Sequence, residues 1–596
     1  MGGISGKVVI EGKIQKTELE KSSEQLQHRG PNDHGIFVSE DNKIGLTHRK
    51  ISAIDLSQEE KQPMTIGHLT IVFNGKVYNY LEIKAELQKA GVQFNSNTDT
   101  EVILRGYQFW NKGILQQLKG MFAFVIYDDQ KKNLFIARDK LGIKPLFYAF
   151  QNKNFYFGSE LKAIHCFPEF NAQIQASSVS LFLANRFVSN QQTMWQDIYK
   201  LPAAHFMTID THSLSFQIER YWVLSKQIID INQDEVQDKF EELLIASLSK
   251  QLDGKEQVGA FLSGGLDSSS LVMLMQNQLN YPTQAFSIGF EKWNDSEDKY
   301  AKMVAKHTGA KLDVLKLKEI DLSIMPTLMY HYDDPIADIS ILPTYAVSQL
   351  ASQNVKAVVS GEGADELLGG YWWHKAENFQ PGSNFFSKWW SKISPKSQKD
   401  IKNHYIHAMS MGLYDSKELR KALVGTYKAA VPDDVFAHLD ELFHSELSTL
   451  KQIQYLDIHH FMGELVLIKV ERGSMAHGLE ARAPFLDDDL LEWIFSLPEK
   501  YYIQEGVQKP LLQNLLKGRV PDAILQRPKQ GFVGPDIFYK NYDLYQSTLM
   551  TGRLVSEQVV KKSYIRQLLL TRDHWRLWKL FVLEHWWRVW VPAITD

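Results

Sequence analysis

Two short stretches of the chain hold residues whose types and spacing could do chemistry. The first reads VGAFLSGGLDSSSLVMLM, residues 258–275. Val258 to Leu262 is an apolar run of strand type. Ser263, Gly264, Gly265, Leu266, Asp267, Ser268 and Ser269 make a loop of mostly small residues, and Leu271, Val272, Leu274 and Met275 open a helix. Strand, glycine loop and helix together aim free backbone N–H groups and a helix N-terminus at an anion, and two glycines let the backbone approach a phosphate closely. No Lys precedes the final serines, so this is not the common phosphate-binding P-loop. Asp267 would repel a phosphate unless a cation sat between them, which reads it as a Mg²⁺ ligand. An ordinary small-residue helix cap has the same composition, so this loop by itself leaves both readings open.

The second stretch is VVSGEGADELLGGY, residues 358–371. A strand again runs into a glycine-rich loop, now with Glu362, Asp365 and Glu366, three acids within five residues. Beside a phosphate site such acids need a cation or serve as a base.

The elements that must position these loops change type along the chain. Residues 1 to about 205 carry short β-type runs separated by turn signals, among them Lys7–Ile10, Ile44–Thr47, Leu69–Phe73, Phe122–Tyr127, Asn133–Ala137, Leu146–Ala149 and Phe155–Gly158. Helical patterns intervene at Tyr80–Ala90 and Thr100–Trp110. Stacked antiparallel sheets with helices outside are expected, an α+β domain with αββα layers. Residues 206–233 read as a linker. From Asp234 on, amphipathic helices such as Val236–Gln251 alternate with short apolar strands at Val258–Leu262, Gln284–Ile288, Lys311–Leu315 and Ala357–Val359. That alternation predicts an α/β domain over 234–596 with a doubly wound parallel sheet, which binds ligands at the carboxyl ends of its strands. Both loops sit at such ends.

Bulk properties narrow the classes. A chain of 596 residues holds at least two domains. Its formal net charge of -4 gives no reason to expect nucleic acid or an anionic membrane as partner. Cys166 is the single cysteine, which excludes an internal disulfide and fits a reducing cytoplasm. The N-terminus has no basic region followed by an apolar core, and no stretch has the roughly 20 uninterrupted apolar residues of a membrane helix. The Trp-rich run Trp575, Trp578, Trp586, Trp587 and Trp590 is broken by charges and reads as a packing helix. A homodimer is compatible with the sequence but not required by it.

SGGLDSS resembles the pyrophosphate-binding loop of ATP pyrophosphatases, and the chain from residue 2 to nearly its end resembles the glutamine-dependent asparagine synthetases. In the second half the resemblance rests on both loops, on Ser287-Ile288-Gly289-Phe290, on Glu471-Arg472-Gly473-Ser474-Met475-Ala476, on Glu480-Ala481-Arg482-Ala483-Pro484-Phe485-Leu486-Asp487 and on Arg527-Pro528-Lys529-Gln530-Gly531-Phe532. The resemblance implies two ligands, ATP and Mg²⁺. Leu262 and Ile288 would contact adenine. Ser263, Gly264, Gly265, Asp267, Ser268, Ser269, Ser360 and Gly361 would line the rest of the nucleotide. Asp267 and Asp365 would hold the metal. Glu362 would take a proton from the attacking amine, and Lys529 would offset charge at the reacting centre. Asp338 and Ser340 are expected to line the cleft, and Arg482 could reach an anion.

In the first half, His28-Arg29-Gly30-Pro31, Gln62-Pro63-Met64, Gly120-Met121-Phe122-Ala123-Phe124 and Ala137-Arg138-Asp139 resemble a class II glutaminase, an N-terminal-nucleophile fold. There a Cys follows the initiator Met and attacks the glutamine amide. Gly2 stands in its place. The family's Asn-Gly-Glu at the glutamine pocket is here Asn74-Gly75-Lys76, and Lys76 would repel the substrate ammonium that the Glu helps to hold. Arg49 for the α-carboxylate, Asp99 for the ammonium, and Asn74 with the Gly75 N–H as oxyanion hole persist. The expectation is a ligase that adenylates a small-molecule carboxylate and joins it to an amine or ammonia, with a vestigial glutaminase domain, as in β-lactam synthetase-like members. Two alternatives stay open. One is a glutamine-hydrolysing asparagine synthetase acting on aspartate, with Gly2 an engineered replacement of its Cys. The other is a silent scaffold.

Overall fold

The structure, a computed structural model, describes every residue except 1, 52–60, 255–256, 292, 294–295, 319–320, 375–396, 505–506, 529, 532–533, 537 and 593–596. The first half builds two antiparallel six-stranded sheets. One is ordered Ile198–Lys200, Phe147–Gln151, Asn154–Gly158, Gly2–Val9, Ile44–Lys50, Asp33–Val38. The other is ordered Phe216–Arg220, His205–Asp210, Asn133–Arg138, Gly120–Asp128, Leu69–Val77, Met64–Ile66. Strand alternation divides the core. Leu69, Ile71 and Phe73 face a cluster with helices Tyr80–Lys89 and Asp99–Trp110, whereas Val72, Ala123, Val125 and Tyr127 face Ile4, Val8, Ile44 and Leu46 between the sheets. Helix Lys16–Glu24 covers the outer face of the first sheet. The result is the αββα layering of the N-terminal-nucleophile fold.

Two differences from the sequence reading have physical causes. The first strand begins at Gly2 rather than Lys7, because Gly2–Val8 pair with Lys50–Ile44 on one side and Ser5–Val9 pair with Gly158–Asn154 on the other. Its glycines weaken the apolar pattern but are required: a Cβ on Gly6 would lie 2.4 Å from the Gly45 carbonyl oxygen. Residues 205–220, within and beside the span read as a linker, form a hairpin that pairs with Asn133–Arg138 and extends the second sheet to Arg220.

The second half carries five parallel strands, labelled here β1 (Val258–Phe261), β2 (Gln284–Phe290), β3 (Lys311–Leu317), β4 (Ala357–Val359) and β5 (Glu480–Arg482), in the order β3-β2-β1-β4-β5. β5 does not read as a strand in the sequence because it is short and charged at both ends; Glu480 and Arg482 are buried as a pair. The strand order reverses between β1 and β4, the switch point at which doubly wound sheets bind ligands. The Trp-rich segment forms helix His574–Trp590, with Trp578, Trp586 and Trp587 fully buried. The Trp586 indole N–H donates to the Asp333 carbonyl, and that of Trp578 to the Ala337 carbonyl. No described helix is long and apolar enough to cross a membrane.

The halves are joined by buried ions. Arg29 pairs with Glu160 at 2.8 Å and with Glu471, Lys162 pairs with Glu160 and with Asp333 at 2.7 Å, and Arg472 lies 2.8 Å from Glu160. Glu160 is held well below the usual carboxylate range. Burial alone would raise it, but His28, Lys162, Arg472 and Arg29 surround it.

Candidate active site

The loops that follow β1 and β4 flank one cavity of about 780 Å³, lined among others by Leu262, Ser263, Gly265, Asp267, Ser268, Ile288, Ser360, Gly361, Glu362 and Asp365. The first loop is fixed by its serines. Ser263 N–H donates to Ser268 Oγ at 3.2 Å and Gly265 N–H donates to Ser263 Oγ at 3.3 Å. Gly264 has φ +74°, and a Cβ there would lie 2.6 Å from the Tyr300 carbonyl carbon, so only glycine lets the loop bed down on helix Asp298–Thr308. Helix Leu266–Met273 starts immediately, with Gly265 as its cap, so its N-terminus faces the cleft. In the second loop the Ser360 hydroxyl donates to the Glu362 carboxylate, and Ser360 N–H donates to the Arg482 carbonyl at 2.8 Å.

The loops meet through a residue far away in the chain. The buried Lys509 ammonium contacts the Asp267 carboxylate and lies 2.6 Å from Asp365 Oδ1. Two carboxylates this close repel each other unless a cation lies between them. Glu366, in the same wall, accepts from Tyr371 Oη at 2.7 Å; burial, with the neighbouring Asp365 charge, pushes its carboxyl up to about 7. At the rim Arg527 donates to the Ser263 carbonyl at 3.2 Å, pairs with Glu297, and stacks 4.4 Å over the Tyr300 ring. These contacts fasten Arg527 to the first loop. Lys529 itself lies outside the described residues.

In the first domain, Gly2 N–H donates to Asn74 Oδ1 at 3.2 Å, and the Asn74 amide nitrogen has no partner among the described residues. Arg49 lies across the sheet from Gly3 and donates to the Ser23 carbonyl and hydroxyl at 3.1 and 3.0 Å. Asp99 accepts from Val77 N–H at 3.2 Å. Lys76 shares the strand face of Asn74, and its ammonium lies 5.6 Å from the Tyr80 ring centroid. A Cβ on Gly2 would fall 1.8 Å from the Arg49 carbonyl oxygen. Cys166 offers no substitute thiol: burial pushes it up to about 11, and its Sγ–H donates to the Ala163 carbonyl.

Comparison with known proteins supplies the family. The sequence model described as asparagine synthase matches residues 239–588, more than half of the chain, and that of the glutamine amidotransferase domain matches residues 1–222. The chain belongs to the asparagine synthase family. It is 28% identical to asparagine synthetase (glutamine-hydrolyzing) 1 of Bacillus subtilis over 94% of this chain and 90% of that one. It is 29% identical to a putative asparagine synthetase (glutamine-hydrolyzing) of Mycobacterium bovis over 98% and 96%, and 33% identical to one of Methanocaldococcus jannaschii over 63% and 76%. It is an asparagine synthetase-like, ATP-dependent amide-forming ligase.

Against that family background, the cleft gathers Leu262, Ser263, Gly265, Asp267, Ser268, Ile288, Ser360, Gly361, Glu362 and Asp365, together with Asp338 and Ser340. Gly264 is turned onto Tyr300, and Ser269 is buried within its helix. Arg482 does not reach an anion site: it donates to the Gln251 carbonyl and pairs with Glu480. Lys509 escaped the sequence reading because nothing in Gln508-Lys509-Pro510 marks it; the one available signal was the need for a cation between Asp267 and Asp365. These two acids fit Mg²⁺, which takes one or two carboxylates and fills its octahedron with phosphate and water oxygens. Among the described residues no group of three or more His, Cys, Asp or Glu could hold a metal. A divalent ion here would therefore lean on phosphate oxygens.

Proposed function

We propose that the enzyme adenylates a substrate carboxylate with ATP, releases pyrophosphate, and transfers the acyl group to an amine or ammonia, and that it no longer hydrolyses glutamine. The observation that carries the ligase reading is the convergence of two glycine-rich loops on Lys509 at the switch point between β1 and β4. In this reading Leu262 and Ile288 flank adenine, the 263–269 loop and its helix N-terminus hold the pyrophosphate, and Ser360 and Gly361 hold the remainder of the nucleotide. The carboxylate oxygen attacks the α-phosphorus, forming an acyl–phosphate bond as the bond to pyrophosphate breaks. Mg²⁺, held by Asp267 and Asp365, would neutralise phosphate charge when bound. Lys509 holds the two acids in register and faces the same phosphates. The amine nitrogen then attacks the acyl carbon, AMP leaves, and Glu362 accepts the amine proton. Lys529, two residues beyond Arg527 in the sequence, is assigned the role of offsetting the charge on departing AMP.

Three observations in the first domain support the loss of glutaminase chemistry. Gly2 supplies no nucleophile, its surroundings exclude a side chain, and Lys76 shares the strand face of Asn74, where its charge would repel a substrate ammonium. The domain is carried by residues 1–205 and the hairpin that follows, and the ligase by 234–596. The test is pyrophosphate release from Mg·ATP with a panel of carboxylic acids, with aspartate first, comparing ammonium with glutamine. Release with ammonium and not with glutamine is expected. Glutamate formed in step with amide would overturn the glutaminase claim, and an Asp267→Ala protein as active as the unaltered enzyme would overturn the ligase site.

A further inference from the structure

Outside the cleft, one side-chain cluster is left unexplained by ordinary pairing. Helix Gln398–Ser410, the turn Ala437–Leu442 and the segment Asp457–Val466 meet in the helical part of the ligase half through Tyr405, His438 and His460. Asp457–Val466 is wound as π-helix for ten residues. Such winding is rare, is mostly confined to single turns, and gathers at functional sites. Here it carries the buried His460 and, one residue on, Phe461, which lines the nucleotide cleft.

His460 Nε2 lies 3.2 Å from His438 Nε2. Two lone pairs repel at that distance, and so do two N–H groups, so something positive must lie between the nitrogens. The surrounding bonds assign the ring protons. The Tyr405 hydroxyl donates to the Leu456 carbonyl at 3.2 Å, so it faces His460 Nδ1, 3.4 Å away, as an acceptor. That keeps the His460 proton on Nδ1. The Val435 carbonyl accepts from His438, and because Nε2 is turned to His460 this proton sits on Nδ1 as well. Both Nε2 atoms are then lone pairs aimed at one point. An extra proton is disfavoured there: burial lowers His438 to about 4 and holds His460 well below the usual imidazole range, and Lys402, Lys200 and Arg186 add like charge.

The same distance suits a metal ion. Zinc sits roughly 2.0–2.1 Å from imidazole nitrogen, so a pair 3.2 Å apart subtends about 100° at the ion, near the tetrahedral angle. Each ring is held through its other nitrogen by an oxygen, the outer-shell arrangement of metal-bound histidine. Asp434 and Asp440, which share Lys402 at 2.9 and 2.8 Å, stand near His438 and offset a cation's charge. We propose that His438 and His460 chelate a divalent ion of the zinc type, which staples the 437–442 turn to the π-helix beside the cleft. Water fills the remaining positions from the side of half-buried His438, since among the described residues no third His, Cys, Asp or Glu is placed to ligate. The site is separate from the Mg²⁺ site assigned to Asp267 and Asp365, whose oxygen ligands suit a harder ion.

The experiment is calorimetric titration of the full chain with Zn²⁺ after treatment with a chelator, with Mg²⁺ in excess to occupy the phosphate site, beside thermal melts of the same samples. One Zn²⁺ per chain should bind ahead of any weaker surface binding, and the Tm should rise with Zn²⁺ concentration. His438→Gln should weaken that site by at least about a hundredfold and abolish the Tm rise, because a single imidazole cannot chelate. His460→Gln should do the same. Tyr405→Phe removes only the oxygen that holds His460 Nδ1–H and should weaken Zn²⁺ by about tenfold, a graded loss that a misfolded variant would not give. An unaltered protein that binds no single Zn²⁺, or whose Tm ignores Zn²⁺, overturns the site, and the pair is then a neutral N–H···N hydrogen bond. Binding that survives unchanged in His438→Gln also overturns it, since other histidines would hold the ion.

Discussion

Restoring the missing thiol should not restore glutamine hydrolysis. In Gly2→Cys the new Cβ is built 1.8 Å from the Arg49 carbonyl oxygen, 2.6 Å from its carbonyl carbon and 3.2 Å from Lys50 N. Those atoms are backbone, so no rotamer relieves the overlap. The strand end must withdraw by roughly 1.5 Å to reach van der Waals contact, at a cost of about 1–3 kcal/mol, typical of forcing a methylene into filled space. That movement spoils the alignment of Gly2 with Lys50 and separates Gly2 N–H from Oδ1 of Asn74, whose amide is proposed for the oxyanion hole. A thiol displaced by more than 1 Å from that amide loses the geometry on which the rate depends. Even in place, it would share its surroundings with Lys76, which in the proposed reading repels the substrate ammonium.

The assay is glutamate formation from glutamine by Gly2→Cys and by Gly2→Cys with Lys76→Glu, beside amide formation from ammonium in the same preparations. No glutamate above the unaltered enzyme is expected from the single variant. Ammonium-dependent synthesis should persist, and the first thermal transition should fall. Glutamate production by the single variant within about tenfold of ammonium-dependent synthesis would refute the argument, since a misplaced nucleophile forfeits at least 1.4 kcal/mol of transition-state stabilisation per tenfold. It would also favour the reading in which a working cysteine had been replaced.

Three further perturbations test other parts of the structure. Lys509→Met leaves Asp267 and Asp365 facing each other, so pyrophosphate release should fall by at least about a hundredfold, and the metal-free protein should lose about 3 kcal/mol in urea melts, a loss that added Mg²⁺ partly reverses. Glu366 binds its proton more tightly folded than unfolded, with a carboxyl raised from 4.5 to about 7. Its contribution to stability is therefore full below about pH 4.5 and lost as pH rises through 7, a change of order 3 kcal/mol that Glu366→Gln should remove from the pH dependence of the melt. Glu160→Gln takes the shared carboxylate from Arg29, Lys162 and Arg472, and the first urea transition should move down by about 3–5 kcal/mol; no movement would mean the buried network contributes nothing.

Local chemistry made much of the molecule legible in the sequence, and chain-distant convergence hid the rest. The loops at 263–269 and 360–365 could be read because each carries its strand, glycines and helix start within a dozen residues. Short β-type runs between turn signals likewise marked most strands of the first domain. Gly2–Gly6 were lost to the pattern because glycine carries no side chain to mark a strand face, and β5 because it is short and its buried end residues, Glu480 and Arg482, are charged. Lys509 could not be found in this way. Its neighbours in sequence are unremarkable, and its partner stands far off along the chain: Asp267 is 242 residues from Lys509.

The same convergence explains why a domain without its nucleophile stays attached to the ligase. Arg29, Glu160 and Lys162 come from the first half, and Asp333, Glu471 and Arg472 from the second; each side chain is no more than 5% exposed. Removing the first half would take Arg29 from Glu471, Lys162 from Asp333 and Glu160 from Arg472, leaving two acids to share one guanidinium, and breaking buried pairs costs several kcal/mol. The second half also needs Lys579, whose ammonium is satisfied by the Leu183 carbonyl of the first. Selection on glutamine hydrolysis can lapse at Gly2 without touching any of these contacts. A free ligase domain, by contrast, would have to neutralise its side of the joint. The first domain is thus retained by the physics of the interface whether or not it still does chemistry, and truncation at residue 233 should yield an insoluble ligase rather than a smaller active one.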